Sequence, residues 1–291
     1  MSGVQVPLPH VPNSSGTAYP KLPAPAGACD CHMHIYDAAR FPPPRPDARM
    51  QPDATVADYR LFQRRIGTSR TVVVNAAAYA TDNEVTLDAV RQFGDACGIA
   101  VVVPTVTDAE LKRLADGKMR GIRFTQFDPR TATTTLDMIE PLAKRAQDFG
   151  MHVQIHLRAD QIVAAQDMLT RLPGTVVLDH LGRLTRQQGI HHSAFNVICR
   201  MLDSGRTWMK LSGAYMLADP PDYAGADKIA RAYIEAAPER MLWGSDWPHP
   251  TENEKPDDAV LFDLVAGWAP DEKTRHRILV DNPAALYNFG K

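Results

Sequence analysis

Few cysteines, no long apolar run and no cluster of basic charge mark this sequence. The four cysteines, Cys29, Cys31, Cys97 and Cys199, are too scattered along 291 residues for a disulfide framework. No stretch of about 18 uninterrupted apolar residues exists to cross a membrane. The first 28 residues lack the basic start and apolar block of a secretory signal, so a cytoplasmic location is expected. The 32 Lys and Arg against 34 Asp and Glu leave a formal charge of -2 with no basic run, which argues against a nucleic-acid partner. No internal repeat of fixed period is evident.

What is present is ordinary for a soluble globular protein: 44% hydrophobic and 23% charged residues. Residues 1–27 hold Pro7, Pro9, Pro12, Pro20, Pro23 and Pro25, which resist helix and central strand alike. An extended arm lying on the body is expected there, followed by one domain over residues 28–291. In that domain short β-branched runs alternate with amphipathic stretches, the pattern of βα units and a parallel sheet. The expected strands are Ala28–Ile35, Thr71–Asn75, Ile99–Pro104, Gly121–Phe124, His152–His156, Thr175–Leu178, Thr207–Leu211 and Met241–Trp243. Helices are expected over Val56–Ile66, Asp82–Cys97, Asp108–Ala115, Thr134–Phe149, Ala159–Leu172, Ser193–Asp203, Asp227–Ala237, Asp257–Gly267 and Glu272–Val280. Eight strands with interposed helices suit a single-domain (β/α)₈ TIM-like barrel better than an open doubly wound sheet.

Chemistry concentrates where these strands end. His32-Met33-His34 closes the first strand, and alternation puts both imidazoles, with Asp30, on one face, while Cys29 and Cys31 read as buried core thiols on the other. His156 ends the fifth strand, His180 follows the sixth and Asp246 follows the eighth. Barrel active sites are assembled from the carboxyl ends of several strands, so these residues converge on one rim. A buried carboxylate among neutral imidazoles would be costly without a cation or a shared proton.

The set formed by His32-Met33-His34, Thr81-Asp82-Asn83, Met119-Arg120-Gly121-Ile122-Arg123-Phe124, Asp179-His180-Leu181-Gly182-Arg183 and Trp243-Gly244-Ser245-Asp246-Trp247-Pro248-His249-Pro250 resembles the amidohydrolase superfamily, in the branch of the 2-pyrone-4,6-dicarboxylate lactonases. The likeness runs from about Ala28 to Tyr287. It implies a lactone hydrolase acting in aromatic degradation, in which Asp246 takes a proton from the attacking water while the histidines and Arg123 polarise or orient the substrate. The pyrone-dicarboxylate members lack a fifth-strand histidine and work without metal, whereas this chain has His156. The resemblance therefore also implies a single-metal set of His32, His34, His156 and Asp246, holding Zn²⁺ or a similar divalent ion, with His180 left for water or substrate. The segment after the seventh strand lacks the arginine those enzymes use for a carboxylate, which leaves room for another acidic lactone such as a sulfomuconolactone. Metal-dependent decarboxylation of an aromatic or muconate acid, and isomerisation of a sugar-diacid lactone, are the alternative activities.

Several residues carry two readings. Arg123 faces inward, and its guanidinium fork matches a substrate carboxylate better than it suits a purely structural pair. Arg130 is a second anion contact or a solvated surface charge. Asn75 and Tyr79 either donate to a ligand or shape their loop. Lys210 pairs with Asp30, with the substrate or in a structural salt bridge, and His249 braces the loop or the pocket. His10, His191, His192 and His276 read as surface residues.

Overall fold

The computed structural model describes residues 10–130, 132–185, 187–220 and 222–289. Eight parallel strands carry the apolar runs: β1 (Cys29–Met33), β2 (Arg70–Val74), β3 (Ala96–Ala100), β4 (Met119–Thr125), β5 (His152–His156), β6 (Val176–Leu178), β7 (Thr207–Leu211) and β8 (Met241–Trp243). Each pairs with its neighbour in chain order, the arrangement of a (β/α)₈ barrel. Around them lie α1 (Val56–Ile66), α2 (Glu84–Phe93), α3 (Asp108–Asp116), α4 (Ile139–Asp148), α5 (Ala159–Ala164), α6 (Gln166–Arg171), α7 (Ser193–Asp203), α8 (Ala224–Ala236) and α9 (Asp258–Trp268). The chain closes with α10 (Glu272–His276), a π turn over Arg277–Asp281 and α11 (Asn282–Tyr287). No helix among the described residues is long and apolar enough to cross a membrane.

Strand alternation sorts the core into two layers. Val73, Ile122, Phe124, Val153 and Leu178 pack outward against helix residues such as Phe62, Leu111 and Ile198. Cys29, Cys31, Val72, Val74, Cys97, Ile99, Val177, Trp208 and Leu242 fill the barrel interior, with Tyr287 beneath them. Cys29 and Cys31 are therefore core thiols, as expected, but on the interior side of the barrel rather than the face opposite the imidazoles, and burial pushes Cys97 beside them above its ordinary value. Cys97, expected in a helix, lies in β3, which starts three residues before the expected Ile99. The reason is Gly94, whose left-handed φ of +82° stops α2 at Phe93.

A second departure concerns Asp30. Strict alternation would set it beside His32, but the β1–β2 register shifts between Asp30 and Met33. This irregularity leaves Cys31 and His32, consecutive in sequence, both facing the interior. Asp30 turns instead toward the helical layer, accepting from Tyr59 Oη at 2.9 Å and from Ser245 N and Oγ at 2.9 and 2.5 Å. Burial raises its carboxyl to about 6 against those donors.

Ser245 belongs to the segment that closes the barrel. Beyond β8 the chain meets β1 through Asp246 N donating to His32 O (2.7 Å) and His34 N donating to Trp247 O (2.8 Å). Of the expected arm, residues 1–9 fall outside the described residues, and Pro12 to Ala18 touch this segment and α1. Trp247 Nε1 donates to Pro12 O at 2.8 Å, and the buried Arg65 of α1 reaches Ser14 Oγ, Ser15 O, Ala18 O and Asp257 Oδ1.

The seam tolerates no side chain at Gly244, where a Cβ would stand 2.8 Å from His32 Cβ and 3.0 Å from His32 N. Gly244→Ala is expected to destabilise the fold by about 1–3 kcal/mol in urea unfolding, as overpacking does. Gly267→Ala, on the exposed end of α9, is expected to be neutral or slightly stabilising; equal loss in both variants would show that the seam is not the tight point.

Candidate active site

At the carboxyl end of the barrel, four elements bring their polar ends to one carboxylate. Asp246 Oδ1 lies 3.4 Å from His32 Nε2, 3.3 Å from His34 Nε2 and 3.9 Å from His180 Nε2. Its Oδ2 accepts from Tyr215 Oη at 2.6 Å. Asp246 and His180 both hold left-handed backbones, with φ of 64° and 52°. Such strain is uncommon outside glycine, though more often accepted by Asp and His, and it gathers at functional sites.

The ring nitrogens assign themselves partly from their outer partners. His34 Nδ1 donates to Val74 O at 2.8 Å, so a neutral His34 turns the Nε2 lone pair toward Asp246. His180 Nδ1 meets Ser212 Oγ at 2.9 Å. His32 Nδ1 has two competitors at 3.3 Å, Lys210 Nζ and Asp179 Oδ1, while its buried Nε2 has no hydrogen-bond partner. The His34 lone pair aimed at a carboxylate calls for a cation or a proton between them, and the donor set suits a divalent ion. His32, His34 and Asp246 place one ligand atom each within 4.8 Å of one another. The expected fourth ligand, His156, lies outside that group: its ring stacks on Phe127 at 5.4 Å and meets His180 at 5.0 Å. Both of its nitrogens are buried without a partner.

Below this cluster sits a charged layer. Arg123 Nε donates to Asp179 Oδ2 at 2.9 Å, Gln154 Nε2 donates to the same oxygen at 3.1 Å, and Lys210 Nζ donates to Gln154 Oε1 at 2.8 Å. Lys210 thus pairs with Asp179 (3.8 Å) and His32 rather than with Asp30. Burial opposes the Asp179 charge, but Arg123, His32 and Lys210 hold its carboxyl well below the usual range. Burial raises the Asp246 carboxyl, and the His180, His34 and His32 imidazoles lower it to the extent that they carry protons toward it. Burial lowers His180 to about 4 and takes His32 and His156 well down, so these rings are neutral near pH 7.

The cluster opens into a cavity of about 520 Å³ whose lining includes His34, His156, His180, Asp246 and Arg123. Asn75 also lines it, with one Nδ2–H donated to Ala80 O and Oδ1 accepting from Thr86 Oγ1, which holds the amide in place and leaves its second N–H. Tyr79 stands behind the wall, where its hydroxyl accepts from Asp37 N. Arg130 is exposed, bound to Asp128 and outside the lining. His249 is buried behind the site, with Nε2 3.1 Å from both Asp258 oxygens. His10, His191 and His276 are exposed and His192 half-buried.

Sequence reasoning missed Tyr215, Gln154 and Asp179 as a charge partner, together with Arg45 and Arg49, which line the cavity mouth from the loop after β1. Alternation with His152 and His156 marks Gln154 as inward, and Asp179 follows β6, whereas nothing in the spacing marks Tyr215, Arg45 or Arg49. They reach the site through strand order and through a loop of no regular structure.

Known proteins give the arrangement its context. A family model described as amidohydrolase matches residues 29–289. The chain is 34% identical over 281 residues to a 2-pyrone-4,6-dicarboxylate hydrolase of Comamonas testosteroni, covering 92% of each. It is 33% identical over 272 residues to a 4-sulfomuconolactone hydrolase of Rhizobium radiobacter, covering 90% of each. An Agrobacterium tumefaciens protein solved in its apo form superposes with a TM-score of 0.86 at 28% identity, over 95% of this chain and 98% of that one.

The neutral imidazoles make stability fall with acid. His152, deeper in the barrel, is lowered to about 3 by burial and then by Lys210, against an ordinary 6.5. A depressed histidine takes up its proton in the unfolded chain first, so stability is full above pH 6.5 and declines as pH falls toward the folded value. Each of His32, His152, His156 and His180 adds up to about 1.4 kcal/mol per pH unit in that window. Asp30, raised to about 6, runs the other way between 6 and 3.8 and offsets one of them. Urea midpoints are expected to drop steadily from pH 6.5 to 4.5, less steeply in His152→Gln; a flat profile would mean these rings are not neutral in the fold.

Proposed function

The chain belongs to the amidohydrolase family, and from that membership we propose that it is a hydrolase opening a small anionic lactone by attack of an activated water on the ring ester carbonyl. The proposed setting is aromatic degradation, with a 2-pyrone-4,6-dicarboxylate-like or muconolactone-like substrate. The observation that carries this reading is the buried Asp246 carboxylate, which the Nε2 atoms of His32, His34 and His180 approach and which lines a cavity together with Arg123.

Each residue then has a task. Asp246 accepts the proton of the attacking water through Oδ1. His180, whose Nδ1 meets Ser212 Oγ, is assigned the tautomer with its proton on Nε2, which it offers to the developing oxyanion as a hydrogen-bond donor. Arg123 receives an anionic group of the substrate while its Nε stays on Asp179, so the guanidinium is oriented before the ligand arrives. Arg45 and Arg49 attract anionic groups at the mouth. Asn75, Arg130, Tyr79 and His249 act, on this reading, by shaping the loops around the cavity.

The residues fit a divalent ion, for which zinc suits the mixed nitrogen and oxygen donors. His32, His34 and Asp246 would hold it, and His156, with both nitrogens unpartnered, is the fourth candidate. Such an ion, when bound, supplies a Lewis acid that makes water a nucleophile near neutral pH.

Asp246→Asn is expected to lower kcat by about 10²- to 10⁴-fold, the usual worth of a general base, with substrate affinity retained. Turnover of an acidic lactone should release one proton per ring opened. Carbon dioxide release would instead identify a decarboxylase, and solvent deuterium entering an unopened ring an isomerase. Elemental analysis is expected to find one equivalent of zinc, lost in His34→Ala; full activity of metal-stripped protein would remove the metal from the scheme.

A further inference from the structure

Tyr215 is half-buried on the short 3₁₀ turn Ala214–Met216 that follows β7. Its hydroxyl donates to Asp246 Oδ2, whereas all three imidazoles face Oδ1. The terminal torsion of an aspartate is broad and two-fold, so an unrestrained carboxylate would present either oxygen to the cavity. One short charge-assisted bond removes that freedom.

The tyrosine is itself held. Its ring meets the His249 ring edge to face at 5.0 Å and 86°. His249 Nε2 is gripped by both carboxylate oxygens of Asp258, the first residue of α9, and His249 N donates to Asp246 O at 2.8 Å. Asp246, Tyr215 and His249 thus form a closed circuit of one side-chain hydrogen bond, one ring contact and one backbone hydrogen bond, with Asp258 anchoring it to a helix.

We infer that Tyr215, braced by His249 and Asp258, is a positioning residue that pins Asp246 Oδ2 and so leaves Oδ1 as the oxygen that takes the proton from water. This rests on the lactone-hydrolase reading above. It also gives the histidine of the Trp-Pro-His-Pro turn a purpose: it supports the group that supports the base.

Tyr215→Phe keeps the ring and deletes only the hydroxyl. It is expected to lower kcat about 10- to 100-fold with KM changed less than about twofold, the effect of losing one charge-assisted bond to a reacting group. Its zinc affinity, read by competition with a chromophoric chelator, is expected to fall about tenfold, as loss of a ligand's outer partner does. Asp258→Asn, which loosens His249 without emptying space, is expected to shift kcat the same way by a smaller factor. Wild-type kcat in Tyr215→Phe, or a loss confined to KM, overturns the inference. If the wild type opens no acidic lactone, the lactonase reading fails instead, and zinc affinity decides on Tyr215: a tenfold drop supports it and an unchanged value overturns it. Unaltered thermal midpoints in both variants distinguish these effects from unfolding.

Discussion

Everything at the site depends on the seam between β1 and the segment after β8. Residues more than 200 positions apart are fastened there by two backbone hydrogen bonds, Asp246 to His32 and Trp247 to His34, so the Asp246 carboxylate and its two nearest imidazoles share one piece of hydrogen-bonded backbone. Their mutual distances are therefore set by sheet geometry rather than by loop flexibility. The Asp30 carboxylate reinforces the seam from the helical side through Ser245, and Gly244 permits the close approach. The register shift in β1 completes the device, because it turns His32 into the barrel without surrendering Cys31 from the core.

A barrel interior with this much charge needs internal compensation. Isolated buried ions cost several kcal/mol each, and removing one partner of a buried pair is worse than never having had it. Arg123 and Lys210 lie on either side of Asp179, while Gln154 bridges the lysine to the carboxylate. Of the imidazoles above, burial lowers His32, His156 and His180, the last to about 4, so these three add no charge near neutral pH. The consequence for chemistry is direct. Asp246 sits among three imidazoles and one phenol, an arrangement that leaves a place a cation suits.

The barrel and most of the site were legible because they obey local rules. Strand and helix alternation revealed eight βα units, and polar residues at strand ends revealed His32, His34, His180 and Asp246. Local rules also account for the errors. Alternation put Asp30 with the imidazoles because a register shift has no residue signature, and it delayed β3 because the stop at Gly94 was not weighted against an apolar helical pattern. Tyr215 was invisible for a different reason: its meaning comes from the ring order of the barrel, which sets β7 beside β8. Lys210 was visible as buried charge, yet its partner could not be named from a sequence in which Asp30 and Asp179 both end or follow strands.

The cavity mouth links substrate recognition to the same seam. Arg123 offers positive charge at the floor, and Arg45 and Arg49 offer it at the rim. The rim loop is tied to the closing segment, since Arg49 donates to Asn253 Oδ1 and Lys255 bridges Gln51 Oε1 to His249 O. An acidic lactone drawing on both ends of the cavity would therefore pull on residues that hold His249, and through it the circuit around Asp246. Binding energy gained at the rim is then available to hold the base in its working orientation, the use of remote contacts that raises turnover rather than affinity alone. In this chain the segment after β7 supplies a tyrosine to the base and no arginine to the substrate. For an anionic substrate, as proposed, the basic residues of the lining are Arg123, Arg45 and Arg49, set beside the acidic Asp47 and Asp128.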